Sequence, residues 1–479
     1  MNYNLLDEPW IPVMWKCGKT SQVGIHEALS KAGEIREIAA SNPMDRVAIL
    51  RFLLALLYWC KGNPSDADSV ASGDSFPAEW FSKLDDNKDY FNLFDDKLRF
   101  YQDRNAKRER ASTDLFQEIP TGNNFWHFRH STDKKDGLCA ACAAMGLLRL
   151  PLFCVSSLPD LKSGINGAPP IYVVPWGISL LDTLRANWTT RELLGIPAWV
   201  NQKAHLASEE EVPLLTGLTL LARRVWLHEP IGPPGACCVC GRTEETLIRM
   251  CENQSAGKQE NKQWDDPHVV YLNETTQKPV KTIVDGALTE ITRKSVKASD
   301  LTAAGEFRMD RPWPNLLANM ITSDKFAHST KITFFVVGFA TDKAKNIDVW
   351  ERKIDLPSTV SVLVTSLQQW NKQGWSLGKR IEEITRSEVT GASIIAAIRP
   401  HVEGKVSAMT SELLTGDDDA WDRAAREYRP MMKTIAQSLS PGFTAAAVQQ
   451  RQQIVGVLPV MRSKGNANDK PVRKKGGKK

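Results

Sequence analysis

Two short cysteine pairs constrain this chain more than any other feature of its sequence. Cys139-Ala140-Ala141-Cys142 and Cys237-Cys238-Val239-Cys240 share one spacing and are separated by 94 residues. A two-residue spacer lets both sulfurs of a pair reach one ion at about 2.3 Å while backbone amides point at them, so two such pairs build a tetrahedral thiolate cage. Gly241, next after the second pair, suits the tight turn. The intervening segment is too long for a small zinc ribbon, so a shared ion would staple two distant loops of a larger fold. The spacing predicts a structural Zn²⁺ held by Cys139, Cys142, Cys237 and Cys240, in preference to a redox or iron–sulfur role. Unligated cysteines are the alternative reading, with Cys238 and Cys251 as substitute ligands. Cys17, Cys60 and Cys154 are expected as small buried apolar residues. Nine cysteines is an odd number, and clustered cysteines in a reducing compartment more often hold metal than disulfides.

The rest of the chain reads as 479 residues of ordinary globular composition, enough for two to four domains. Trp10-Ile11-Pro12-Val13-Met14-Trp15, a Lys16-Cys17-Gly18-Lys19 turn and residues 22–25 predict a hairpin that leads into a helix near 26–30. Ser41-Asn42-Pro43 has the chemistry of a helix start and Gly62-Asn63-Pro64 that of a stop. Between them, 44–61 is apolar on most faces and belongs in a core. Residues 101–112 are strongly charged, with Arg104, Lys107, Arg108 and Arg110, which reads as a solvated face or a phosphate contact. Strands are expected at 171–178 and 332–340. Beyond Pro357 strand signals vanish, and Val360, Leu363, Val364, Leu367 and Trp370 recur at helical spacing. The fold class is therefore α+β: a large mixed α/β domain over 1–356 with the zinc site, a helical bundle over 357–461 and a disordered basic tail over 462–479.

The overall charge of +5 misleads. The last 18 residues carry eight basic side chains against Asp469, a net +7, which leaves −2 for the body. Any nucleic-acid surface on the body must be a local patch. Met1 to Pro12 carries Asp7 and Glu8 and does not read as a secretory signal. The longest apolar stretch, 47–60, is interrupted by Arg51 and falls short of the roughly 20 residues a membrane span needs. The expectation is a cytoplasmic protein with no membrane partner.

No catalytic constellation emerges. A cage of four sulfurs has no open position for activating water. His228-Glu229 departs from the H-x-E of zinc deaminases because the two residues are adjacent. Gly18-Lys19-Thr20 ends like a phosphate loop, but Val13 stands where its first glycine belongs. His127 and His130 flank Arg129 without a partner acid at motif spacing.

Three strings, in order, resemble one family. Asn4-Leu5-Leu6-Asp7-Glu8-Pro9-Trp10-Ile11-Pro12-Val13, Gly137-Leu138-Cys139-Ala140-Ala141-Cys142 and Cys237-Cys238-Val239-Cys240-Gly241 are similar to the large subunit, CasA, of the type I-E CRISPR surveillance complex Cascade. The resemblance spans most of 1–461. It implies a zinc-holding α/β domain followed by a helical bundle, and a subunit that is not an enzyme. Such a subunit recognises a short protospacer-adjacent motif in double-stranded DNA, starts strand separation and helps recruit a separate helicase–nuclease, while guide RNA pairing reads the sequence. Its partners would be guide RNA, the other Cascade subunits and the target duplex.

The resemblance also assigns residues. Phe128, with Arg129 and His130 beside it, occupies the place of a family phenylalanine that docks near the guide RNA 5′ end; an aromatic there can stack on a base and the arginine can pair with phosphate. The family's glycine-rich loop at the DNA minor groove precedes a Lys-Ser-Gly string. Here the string is Lys162-Ser163-Gly164, and the loop reads Ser156-Ser157-Leu158-Pro159-Asp160, without glycine; Ser157, Leu158 and Pro159 are the candidate contacts. Lys258, with Lys262 next, takes the place of a lysine that enters the minor groove, where readout is degenerate. Residues 333–338 and 347–350 predict a β-hairpin, the family's wedge. Asp342, Lys343 and Ala344 take the place of its tip, with Lys345 and Asn346 following in a longer connecting loop. Two other classes stay open: a zinc-dependent nucleic-acid-processing enzyme, nuclease or deaminase, and a purely structural scaffold.

Overall fold

The protein is described from a computed structural model, which covers residues 3–62, 73–118, 137–156, 161, 163–167, 169–189, 193–201, 212–256, 264, 266–269, 331–342 and 345–357, with 430, 445, 448, 449 and 452. The expected helical bundle and basic tail lie almost wholly outside the described residues.

The N-terminal hairpin forms as the alternation predicts. Strand β1 (Ile11–Trp15) pairs antiparallel with β2 (Thr20–Val23) through a turn containing Gly18, and β3 (Ile35–Ile38) closes the sheet on the other edge of β1, in the order β2-β1-β3. Helix α1 (Ile25–Ser30) follows the hairpin. Cys17 is exposed in that turn, and Cys60 is half-buried; only Cys154 of the three is buried as expected. A turn that must reverse between two strands projects its residues into solvent whatever their polarity.

Helix α2 (Pro43–Lys61) is the axis of the core. Asn42 caps it, its Oδ1 accepting from the Met44 amide at 2.9 Å, Pro43 occupies the first turn, and the Gly62 amide closes it on the Tyr58 carbonyl. Fifteen of its nineteen residues are buried, including the charged Asp45 and Arg51. Phe52 and Trp59 extend from it into an aromatic cluster with Trp10, Phe91, Phe100, Tyr101 and Trp199. A short helix, α3 (Ser82–Asp86), lies between α2 and this cluster's later members in the chain.

Three helices and one sheet surround α2. Helix α4 (Ala140–Phe153) starts at the first cysteine pair. Strand β5 (Tyr172–Trp176) joins β10 (Lys331–Asp342) and β11 (Lys345–Pro357) in the order β11-β10-β5. Helices α5 (Leu180–Ala186) and α6 (Leu214–Thr219) complete the helical surroundings. A third sheet, β4 (Glu109–Ala111), β9 (Met250–Ser255) and β6 (Arg223–Leu227) in the order β4-β9-β6, is not signalled by the sequence. Its strands are short, and β9 reads Met-Cys-Glu-Asn-Gln-Ser, with little of the β-branched character that marks a strand.

The buried charge on α2 has a distant partner. Arg51 donates to both carboxylate oxygens of Asp266, at 2.6 and 2.9 Å, and one of its nitrogens lies 2.8 Å from His268 Nδ1. Asn166 donates to Asp266 Oδ2 at 3.0 Å, and the Arg51 guanidinium lies 5.3 Å from the Tyr172 ring centroid. Burial alone would raise the Asp266 carboxyl, but Arg51 overrides it and holds the group down at about 2. Burial pushes His268 down to about 3, so it is neutral and its Nδ1 accepts. The pair thereby ties residues 266–269 to α2 and β5, where the Val173 amide donates to the His268 carbonyl at 2.8 Å.

Replacing Asp266 by Asn leaves a buried guanidinium without its counter-charge, and denaturant unfolding should show a loss of about 3–5 kcal/mol. The double variant R51M/D266L removes both charges and should lose distinctly less; equal losses would show that the ion pair is not what the variant breaks.

Candidate metal centre and nucleic-acid interface

The two cysteine pairs meet. Sγ atoms of Cys139, Cys142, Cys237 and Cys240 all lie within 4.8 Å of one another, and those of Cys139 and Cys240 are 3.7 Å apart. Four sulfurs each about 2.3 Å from one tetrahedral ion stand about 3.8 Å from each other, so the cluster has the dimensions of such a cage. A disulfide would need about 2.05 Å, and all nine cysteines are free.

Local structure explains how each pair is aimed. Cys139 is the N-cap of α4, its sulfur accepting from the Cys142 amide at 3.5 Å, so the first pair sits at a helix N-terminus. The second pair is the turn of a two-strand ribbon, β7 (Gly235–Ala236) and β8 (Thr243–Glu244). There the Cys237 amide donates to the Arg242 carbonyl at 2.8 Å and the Gly241 amide to the Cys237 carbonyl at 2.9 Å. Gly241 has φ +75°, a left-handed conformation that glycine adopts without a Cβ penalty.

The two halves are also joined by backbone. The Cys238 amide donates to the Gly137 carbonyl at 3.1 Å, and Leu138 and Ile248 exchange both of their bonds at 2.8 and 2.9 Å. A Cβ on Gly137 would lie 2.7 Å from the Leu247 Cβ, so glycine is what lets these segments approach. Cys251 lies elsewhere, buried in β9 with its sulfur 3.8 Å from the Ala111 carbonyl, and Cys238 is outside the four-sulfur group.

The clustered sulfurs could hold a metal ion. Hydrogen bonds from the Cys139 and then the Cys142 thiol hold Cys237 far below the usual thiol range, while the same contacts, with Cys139 first, push Cys142 far above it. Ionising all four thiols together would require a positive ion at the centre, and the residues fit one soft, tetrahedral metal.

The predicted hairpin also forms, with a shorter turn than the sequence suggested. β10 and β11 stay paired as far as Asp342↔Lys345, so only 343–344 separate the strands, and Lys345 and Asn346 belong to the returning strand. The register shifts once, between Ala340 and Thr341. The pairing absorbs what looked like a longer loop because a two-residue connection matches the twist of the strands. β10 is supported by β5 only from Thr333 to Val337, and Phe339 is the last buried side chain described on it, 6.5 Å from Phe153 of α4. Past Phe339 the ribbon continues as two strands for three more residues, about 10 Å.

Comparison with known proteins settles the lineage. The sequence pattern of the family described as CRISPR-associated protein Cse1 matches residues 4–455. The chain belongs to the Cse1 family. This is the large-subunit family that the three sequence strings resemble. The protein described as CRISPR-associated protein CasA/Cse1 of Thermus thermophilus is 30% identical over 205 residues, and the matched part spans 39% of this chain and 39% of that relative. The solved structure of Thermus thermophilus CasA (Cse1) aligns with a TM-score of 0.73 at 21% identity, covering 96% of this chain and all of that one. Thermobifida fusca Cse1 aligns at 0.69 and 16% identity, covering 96% and 99%. A chain of a CRISPR RNA-guided surveillance complex aligns at 0.71 and 13%, covering 95% and 99%. The mixed helix-and-strand architecture is therefore a Cse1 fold.

Against that fold the other candidate residues can be placed. Phe128, Arg129, His130 and His127 lie outside the described residues, as do Ser157, Leu158, Pro159, Lys258, Lys262, Lys343 and Ala344. Asp342, Lys345 and Asn346 are placed at the turn end of the β10–β11 ribbon. His228 pairs with Glu252 at 2.9 Å and Glu229 with Arg99 at 2.8 Å, so each side chain of the deaminase-like dipeptide faces a different partner. Among the described residues no helix is long and apolar enough to cross a membrane.

One structural network escaped the sequence. Glu118, the last described residue before the segment carrying Phe128, takes both of its oxygens to Arg149 of α4 at 2.7 Å, and Asn42 donates to it at 3.0 Å. Arg149 also reaches Asp45 of α2 at 3.2 Å. With Arg149 already engaged by Glu118, burial dominates at Asp45 and pushes its carboxyl up to about 6.

Two outcomes follow for measurement. Cys139→Ser and Cys240→Ser should each abolish retention of about one equivalent of bound metal and lower the melting temperature, whereas Cys238→Ser and Cys251→Ser should retain the metal, as read by elemental analysis after gel filtration. At Asp45 the folded state holds the proton more tightly than the unfolded chain, so its contribution is present below about pH 4 and is lost as pH rises through about 6. Asp45→Asn should therefore gain on the wild type between pH 4.5 and 7.5, by up to roughly 3 kcal/mol in denaturant unfolding. A difference that does not change with pH would contradict the assignment.

Proposed function

We propose that this chain is the non-catalytic large subunit of a CRISPR RNA-guided DNA surveillance complex. In this reading it recognises a protospacer-adjacent motif in double-stranded DNA, wedges the duplex open to begin R-loop formation and helps recruit a helicase–nuclease. Membership in the Cse1 family supports the assignment, together with a fold shared with a chain of a CRISPR RNA-guided surveillance complex. The metal is Zn²⁺, held by Cys139, Cys142, Cys237 and Cys240. Its role is structural, because four thiolates complete a tetrahedral shell and leave no position for substrate or water.

The observation that carries the DNA-opening role is the β10–β11 ribbon. Its strands are paired to their ends, one side is braced by β5 and Phe339 is buried against α4, so the turn end is held by a rigid base. A wedge must replace base stacking at a fork, at a few kcal/mol per step, and a stiff ribbon can apply that contact without first being ordered. Lys343 can lay its aliphatic stem at the fork while its charge meets phosphate. Lys258, with Lys262, reads the minor groove, and Ser157, Leu158 and Pro159 approach it from the place of the family's glycine-rich loop. Phe128, Arg129 and His130 meet the guide RNA and the subunits that carry it.

In the assembled complex, Lys343→Glu should slow strand opening in a target duplex while leaving initial duplex binding within about threefold; opening can be followed by permanganate reactivity of unpaired thymines. Lys258→Glu should weaken duplex binding itself. If both variants open and bind duplex like the wild type while the complex stays intact, the subunit is a scaffold and the DNA-reading role is wrong. Metal-dependent cleavage of DNA by the isolated chain would overturn the non-catalytic reading.

A further inference from the structure

The cations of the charged run at 101–112 are not used by any of the nucleic-acid contacts proposed above. The structure places this run as a turn fixed at both ends, with Arg104, Lys107 and Arg108 exposed and Arg110 turned inward to the Asn253 carbonyl. Asp103 anchors its base: the Asp103 amide donates to the Val225 carbonyl of β6 at 2.9 Å, and Asp103 Oδ1 accepts from both the backbone and the side-chain nitrogen of Asn105 at 2.9 Å. The Ala106 amide returns to the Asp103 carbonyl at 3.0 Å. The far side is fixed to β9, where the Asn253 amide donates to the Arg108 carbonyl at 2.7 Å and Gln254 Nε2 to the Asn105 carbonyl at 3.4 Å.

The entry to this turn is strained. Tyr101 holds φ +55°, a left-handed conformation that costs a non-glycine residue about 1–2 kcal/mol, and it is kept there by burial against Phe100, Phe52 and Trp199. Arg104, Lys107 and Arg108 are exposed. Arg104 and Lys107 make no ion pair among the described residues. The acids nearby are largely engaged: Asp103 with Arg224 at 3.3 Å, Asp114 with Arg110 at 3.9 Å and Glu252 with His228 at 2.9 Å, which leaves Glu109 exposed.

We infer that Arg104, Lys107 and Arg108 form a sequence-independent contact to the phosphodiester backbone of the target duplex. The inference rests on the duplex-binding reading given above and extends it to a second surface. Duplex DNA offers one negative charge per about 1.7 Å of axis, so three cations within five residues of a fixed backbone meet phosphates without any demand on sequence. A protein partner fits less well. Protein interfaces centre on apolar anchors, and none of the exposed large hydrophobic side chains, such as Ile178, Ile196 or Ile231, lies in this turn. Its position suits a duplex too, since β9, to which the turn is bonded, ends at Ser255, three residues before Lys258.

The test uses the assembled complex carrying the pair R104Q/K107Q, with the charge-reversed pair R104E/K107E as a second variant. Both pairs change exposed side chains, and their melting temperatures should match the wild type. Duplex affinity is measured from low to physiological salt on targets with different flanking motifs. The expected result is a slope of log affinity against log salt that is shallower by about 0.9 per charge removed, equal for all motifs, with guide RNA content and assembly unchanged.

An unchanged slope, in a complex where Lys258→Glu still weakens duplex binding, overturns the contact and leaves the function standing. Loss of affinity for the RNA-bearing subunits, with the duplex slope intact, also overturns it, by assigning the cations to guide RNA. If omitting the whole subunit leaves duplex affinity unchanged, the function reading fails and this contact falls with it.

Discussion

The meeting of four cysteine sulfurs within 4.8 Å of one another, a group that could hold one central cation, is the constraint on which the described part of this molecule depends. Cys139 and Cys142 start α4, and Cys237 and Cys240 turn the β7–β8 ribbon, so an ion holding them joins the helix that packs on α2 to a ribbon 94 residues further on. The backbone repeats that junction through Leu138 and Ile248 and through the Gly137 carbonyl. Because a metal of this kind binds only the folded arrangement, its binding free energy becomes folding free energy. Four thiolates around such an ion would close its tetrahedral shell, so its contribution would lie in geometry and not in chemistry.

From that junction, rigidity passes outward through α4. Phe153 at its C-terminal end packs on Tyr172 of β5 and on Phe339 of β10, which seats the base of the β10–β11 ribbon. Arg149 in its middle clamps Glu118 and Asp45. One helix thereby relates the metal centre, the stem before the segment carrying Phe128 and the hairpin. This arrangement suits a protein that must present several contacts to one large ligand at fixed separations, since contacts ordered in advance lose less entropy on binding.

Two buried ion pairs lie in the core, and they behave differently. In Arg51–Asp266 each charge has a full partner and Asn166 adds a donor, so the carboxylate is held ionised. In Arg149–Asp45 the arginine is shared with Glu118, and the buried carboxyl is held closer to neutrality. The same residue types, equally buried, differ because hydrogen bonding and counter-charge decide whether desolvation is offset.

What was legible in the sequence is what short-range physics determines. Helix α2 announced itself by Asn42-Pro43, its apolar run and Gly62. The strands of the hairpin were visible in their β-branched and aromatic residues, and the metal pairs in a two-residue spacing that only makes sense as a turn. Cys17 was misplaced because residue type alone does not say which way a turn faces. The length of the hairpin loop was misread because charged residues at 342–346 resemble a loop until their pairing is known. Which distant segments meet was decided only in three dimensions. Arg51 finds Asp266 across 215 residues, Arg149 finds Asp45 across 104, and β4 and β6 find β9. Burial and counter-charge reward those meetings, and neither leaves a periodic trace along the chain, so the tertiary structure alone could select them.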